Sequence, residues 1–416
     1  MGDKQHMDTE GGGGTPGRVE RARAFSLTGS ALAPGTLALY AAAHGAVDAA
    51  CVGTLWSAYH AGALSSHAAW SAFFLYNLLA FAVQPLLGLG ADHYRVSRSL
   101  AAGGALVVAA AVGLAWIPGT VFAAVAVVGL GNAFFHVGGG VISLKAAPGR
   151  ATPLGVFVAP GAAGVVAGTL VGRAGGPVWL FALALVPLAA GVLALPAPRF
   201  AGASSRDGDS SSRPAGARER PAGTGPRLAG TATREAGGGI ELIVLLLLFV
   251  VAARAWVGMA VVLPWKSDAW LLAGLTTGVV LGKALGGVLA DRFGWRSVGV
   301  SALLVSIPLL ALGPASAAAG ITGTFVFNMT MPITLVAVAH ALPGHEGFAF
   351  GLTCLALFVG SAPVLIAGPG MSAATLVPAA LVAAAALWVG LGRLLPRPVA
   401  RRLGLAPAAA VEEGLE

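Results

Sequence analysis

His44 and Asp48 stand four residues apart in the stretch "HGAVD", inside an otherwise apolar run from "GTLALYAA" to "CVGTLW". A spacing of four puts both side chains on one face of a helix. An imidazole and a carboxylate held together away from water titrate as one unit. Such a pair can exchange protons near neutral pH. The plainer use is a hydrogen bond that locks the helix to a neighbour. Ionisable groups deep in apolar segments are costly and mark pathways, so His44 and Asp48 are the expected proton-coupling residues. Other ionisable groups inside apolar runs are His136, Arg254 and Lys283, and the amides there are Asn77, Gln84, Asn132 and Asn328. Arg254, Lys283 and His136 together would make a cationic site, and the arginine fork suits carboxylate, phosphate or phosphonate. The expected substrate-binding set is therefore His136, Asn132, Arg254, Lys283 and Asn328. A snorkelling role for Lys283 and simple packing for His136 are the alternatives. Asn77 and Gln84 read as interhelical glue, worth ~0.6 kcal/mol per hydrogen bond. No nucleophile–base pair, metal cluster or phosphate loop is visible. No enzyme activity, metal or cofactor is expected.

These residues must be positioned by membrane helices. The chain is 56% hydrophobic and only 10% charged, against about 25% charged in a soluble domain. A spanning helix needs roughly 20 apolar residues. Twelve such segments are expected, near 35–56, 69–91, 99–117, 119–144, 152–172, 177–196, 240–263, 269–290, 297–313, 316–340, 347–368 and 373–394. With ~1.5 Å of rise per residue, His44, Asn132 and Asn328 fall near the midplane, and Asp48 and His136 about one turn to either side. The net charge of +8 does not signal nucleic acid. The basic residues sit in alternate connections, as a positive-inside topology requires: Arg95 with Arg98, Lys145 with Arg150, Arg292 with Arg296. Opposite connections are nearly bare, apart from Arg173 and Lys266. Both termini are thereby expected in the cytoplasm, with no cleavable signal peptide. Cys51 and Cys354 lie in apolar segments and read as packing residues.

The organisation is six plus six. A polar tail covers 1–34, a first bundle 35–196, a Gly-, Ser-, Pro- and Arg-rich linker 197–239, a second bundle 240–395 and a tail 396–416. The halves repeat: "GLGADHYRVSR" follows the second segment and "GGVLADRFGWR" the eighth. In each, a Gly precedes an Asp by four residues, and the Asp ends a helix. A carboxylate at a helix C-terminus is disfavoured by the dipole, so it needs a basic partner or the N-terminus of another helix. Asp92, Arg95, Asp291 and Arg292 are the gating candidates, placed to latch helix ends together.

The six-plus-six layout and these repeated loops resemble the major facilitator superfamily over about 35–395. "HGAVD", the Gln84, Pro85, Gly88, Asp92 series and "GLGNAFFH" are further similar to its fosmidomycin-resistance branch of efflux carriers. Departures are His93 and Val96 in the first loop, Val137 and Gly138 where the branch has Pro and Glu, and Gly168-Thr169 where many antiporters have Gly-Pro. The proton role of that glutamate therefore does not transfer. The resemblance implies an all-α membrane protein with twelve transmembrane helices in two pseudo-symmetric bundles. It implies that helices 1, 4, 7 and 10 line a central cavity. The expectation is a plasma-membrane carrier, monomeric, moving a small anionic or amphiphilic compound by proton-coupled efflux. Proton-coupled uptake of a small anion, or a non-transporting sensor docking through its linker, are the alternatives. Asp48 and Arg254, each about 14 residues into the first helix of its half, are expected to pair in one state.

Overall fold

The computed structural model describes residues 33–195 and 237–395. The tails and nearly all of the 197–239 linker lie outside these residues. Twelve helices are found among them: α1 Pro34–His60, α2 Ser66–Tyr94, α3 Ser97–Leu114, α4 Val121–Ala146, α5 Thr152–Arg173, α6 Trp179–Ala194, α7 Gly237–Ala260, α8 Ala269–Phe293, α9 Trp295–Leu312, α10 Ala317–Ala341, α11 Glu346–Ala367 and α12 Ala373–Leu394. No strand occurs among the described residues. Eleven of the helices are long and apolar enough to cross a membrane, and α6 is a shorter apolar helix of 16 residues. The chain is a multi-pass membrane protein of two six-helix halves.

Small residues set the closest helix pair. Gly164, Gly168 and Gly172 recur every four residues on α5, so they form one stripe. That stripe lies directly on the α1 backbone at Gly45, Ala49 and Gly53, where any Cβ would collide. Gly161 continues it and leaves room for the side chains of His44 and Asp48. The second half repeats the device, with Gly360 of α11 against the α7 backbone at Ala252. Without a hydrophobic drive between helices in lipid, such backbone approach is what holds the bundle.

Proline breaks two helices at membrane depth. A proline has no N–H to return to the carbonyl four residues earlier. Pro85 withholds it from Phe81, and α2 runs through a π-helical turn at Leu78–Ala82 before resuming at Gln84. Pro332 withholds it from Asn328, and α10 is interrupted at Met329. Irregular backbone at this depth is tolerated where it lines a cavity.

The halves meet through α2 with α11 and α5 with α8. Gly88 lies on the backbone of Gly347, and Gly287 on that of Ala151. Both crossings are on the face that carries Arg95, Lys145, Arg150 and Arg292, here called the basic face.

Candidate functional site

In the first half, α1 and α4 bring three polar side chains onto one carboxylate. His44 Nε2 lies 3.3 Å from Asp48 Oδ2, and His136 Nε2 lies 3.7 Å from Asp48 Oδ1. Asn132 Nδ2 donates to the same Oδ1 at 3.2 Å and to the Tyr76 hydroxyl at 3.1 Å. All are buried. The outer nitrogens are also committed. His44 Nδ1 donates to the Phe157 carbonyl at 2.8 Å, and His136 Nδ1 to the Asn132 carbonyl at 3.0 Å. A carbonyl only accepts, so each Nδ1 carries the hydrogen. In a neutral imidazole the other nitrogen is then an acceptor. Facing a carboxylate oxygen, it is attracted only if a proton lies between them. The His44 Nε2–Asp48 contact can hold a proton, whereas the His136 contact, at 3.7 Å, is longer than a hydrogen bond. Local backbone explains one support: Pro160 sits inside α5 three residues after Phe157, and prolines in a helix tilt the preceding carbonyls out of the ladder.

The second half holds a cavity of about 430 Å³ between itself and α2. Arg254 of α7, Lys283 of α8 and Asn328 of α10 line it, with Phe81 and Asn77 from α2. It reaches Lys266 in the connection between α7 and α8, so it extends toward the face opposite the basic one. Arg254 is 6% exposed. Its guanidinium stands 5.2 Å over the Phe327 ring, and its Nε has no hydrogen-bond partner among the described residues. Among the described residues no carboxylate lines the cavity. Lys283 Nζ reaches across to the Val158 carbonyl of α5 at 3.5 Å. Phe81 separates the two sites: it lines the cavity and its ring stands 6.3 Å from that of His136.

At the basic face each terminal aspartate caps a helix of the other half. Asp92 accepts from the backbone N–H of Gly347 at 2.8 Å and of Phe348 at 2.9 Å, at the start of α11. Asp291 accepts from Ala151 at 2.7 Å and Thr152 at 2.9 Å, at the start of α5, and from the Thr152 hydroxyl at 2.6 Å. The positive ends of these helices stabilise the carboxylates that their own helix ends disfavour. Arg150 lies 3.6 Å from Asp291, and Lys145 pairs with Glu346 of the other half at 3.5 Å.

The sequence-derived set therefore divides. His44 and Asp48 meet as their spacing requires. Arg254, Lys283 and Asn328 share the cavity. His136 and Asn132, expected with them, instead face Asp48, because the rotation of α4 turns both inward to α1. Arg95 and Arg292 join no acidic partner among the described residues. Arg95 ends α2 in the left-handed conformation, with φ 56°, and Arg292 stands over Phe293. Asp48 and Arg254 do not pair with each other in this state. Asn77, read as glue, lines the cavity, whereas Gln84 is buried and turned onto its own helix. The break that Pro85 makes nearby was the available signal for Asn77. The branch's helix 4 glutamate has no space here: a side chain at Gly138 would meet the α3 backbone at Ser97 and Ala101.

No family model matches the sequence, and no curated protein matches it. Solved structures do. A single-substitution variant of the Escherichia coli fucose:proton symporter FucP aligns with a TM-score of 0.59 at 14% identity, covering 88% of this chain and 100% of that one. FucP described as a major facilitator superfamily transporter in the outward conformation aligns at 0.51 and 12% identity, covering 86% and 100%. A variant of the nucleoside transporter NupG aligns at 0.50 and 11% identity, covering 86% and 98%. The fold of this chain is that of the major facilitator transporters.

Proposed function

We propose that the chain is a secondary active transporter that moves a small organic anion across the plasma membrane by alternating access, coupled to protons, with efflux as its working direction. The observation that carries this reading is Arg254: a buried guanidinium, with no carboxylate partner among the described residues, on the wall of a cavity between two halves. A buried charge without a partner is expensive, and a bound carboxylate or phosphonate would satisfy it bidentately. Lys283 adds a second cation on the same wall.

Proton coupling falls to His44 and Asp48, with His136 and Asn132 completing the seat. Its contact with the cavity runs through Phe81 and through α5, where adjacent carbonyls hold His44 and Lys283. The basic face is assigned to the cytoplasm by the positive-inside rule, which places both termini there. The state described is then closed to the cytoplasm, with Asp92 and Asp291 as its latch. A monomer is the proposed working unit, because one chain carries both six-helix halves of the fold. The 197–239 linker is assigned no role in the cycle.

Efflux follows the branch that the motifs of α1, α2 and α4 resemble. One observation favours the second reading, uptake by symport: the proton seat and the cationic cavity are separate, so both can be filled at once. The test is reconstitution into liposomes with an imposed pH gradient, a trapped pH dye and a panel of radiolabelled organic anions. Anion flux opposite to proton flux is expected, and flux in the same direction selects uptake. If no anion moves and the gradient decays as in protein-free vesicles, the transport reading falls.

A further inference from the structure

Apart from its cations and the Thr324 hydroxyl, the cavity's polar side chains have each turned a donor away from the ligand space. Asn77 Nδ2 donates to the Phe73 carbonyl of its own helix at 2.8 Å, and Asn328 Nδ2 does the same to Thr324 at 2.8 Å. The Ser361 hydroxyl, also on the wall, donates to Phe358 at 3.0 Å. Back-bonding of this kind uses up one N–H of each amide and the only hydrogen of the serine. The two amide oxygens have no partner among the described residues. With its hydrogen on Phe358, Ser361 presents an acceptor. The backbone adds to this. Pro85 and Pro332 have no N–H for the carbonyls of Phe81 and Asn328, and both residues line the cavity.

We infer that the transported compound is an organic anion that also carries hydroxyl or N–H donors, such as a hydroxy acid, and that Asn77, Asn328 and Ser361 select it. The inference rests on the proposal that Arg254 and Lys283 take an anion. A purely apolar acid would satisfy those cations and leave three side-chain acceptors dehydrated and unpaired. Sites with polar groups waiting for a substrate hydroxyl reject analogues that lack it. The volume, about 430 Å³, is that of a site for a small organic ligand. Phe81 and Phe327 leave space for an apolar body beside the polar contacts.

The experiment compares acids that differ by their hydroxyls, on the full chain purified in detergent: mandelate with phenylacetate, and gluconate with hexanoate, by calorimetry and thermal stabilisation. The hydroxylated member of at least one pair should bind about tenfold tighter or more, one lost hydrogen bond being worth roughly that. In Asn77→Leu and in Ser361→Ala the ratio should fall toward one. Circular dichroism on each variant separates this from misfolding, and Ser361→Ala, the smaller change, serves if the other does not fold. Equal binding within both pairs, or an unchanged ratio in both variants, overturns the inference. The underlying anion reading fails differently. Methyl mandelate would then bind as well as mandelate, and Arg254→Gln would leave both unaffected. Failure of all four acids to bind a folded chain overturns both.

Discussion

The two halves share one scaffold and use it oppositely. In the first, α1 and α5 touch through the Gly164, Gly168 and Gly172 stripe, and the polar groups between helices are spent on one another: His44, His136 and Asn132 all converge on Asp48. In the second, the homologous first helix carries Arg254, which has been left without a carboxylate, beside open volume. A closed polar cluster can take little more than protons. An open one with unpaired charge is built for a ligand. Pseudo-symmetry thus gives two matching positions in the fold, and in the proposed reading side-chain choice divides the labour between them.

This contrast can be broken from either side. The largest effect is expected from Gly168→Leu. Its side chain would meet the α1 backbone at Ala49, which cannot yield as a flexible side chain would. Overpacking of this kind costs about 1–3 kcal/mol or more, and the proton half should fail to assemble, seen as loss of the monodisperse peak in detergent size-exclusion chromatography. Normal elution and melting would mean that α1 and α5 do not need the stripe.

Arg254→Gln comes next. Charge-assisted hydrogen bonds are worth about 1.5–3 kcal/mol, so anion binding should weaken by roughly 10- to 100-fold while the proton seat is untouched. Calorimetry with the tightest acid of the panel measures it. Binding within twofold of the parent would remove Arg254 from the ligand site and dissolve the contrast.

A smaller effect is expected where the halves are most alike. Each latch carboxylate gains about 0.3–2 kcal/mol from the helix end it caps. Asp92→Asn with Asp291→Asn should therefore shift the protein toward opening at the basic face. Ser143 is buried near that end of α4. Placed as Ser143→Cys in a Cys51→Ala, Cys354→Ala background, it should react with a maleimide roughly fivefold faster when both latches are removed. An unchanged rate would make the caps structural only.

Much of this was legible in the sequence because periodicity and charge bias carry it. Apolar length marked the helices, the alternation of arginines gave the two faces, and the repeated Gly-Asp loops gave the pseudo-symmetry. The i, i+4 spacing was enough to join His44 to Asp48, since both lie on one helix. The dipole also called for a basic partner or another helix's N-terminus at Asp92 and Asp291, and the structure supplies the second to both. What the sequence left open was rotation. Whether His136 and Asn132 face α1 or the cavity depends on how α4 is turned, and the face they share does not say which neighbour it meets. Asn77 was hidden for a related reason. Its side chain reaches the cavity from α2, a helix not expected to line it, beside a break whose consequence lies in the backbone.

The central claim is that proton and anion have separate seats in separate halves. Asp48→Asn tests it most directly, in proteoliposomes loaded with the panel's best anion. Asparagine keeps the size of the side chain but cannot hold a proton for His44 and His136. The account predicts that anion exchange across the membrane persists without a gradient, while accumulation driven by an imposed pH gradient is lost. Retained gradient-driven accumulation in Asp48→Asn, with exchange also intact, would contradict it.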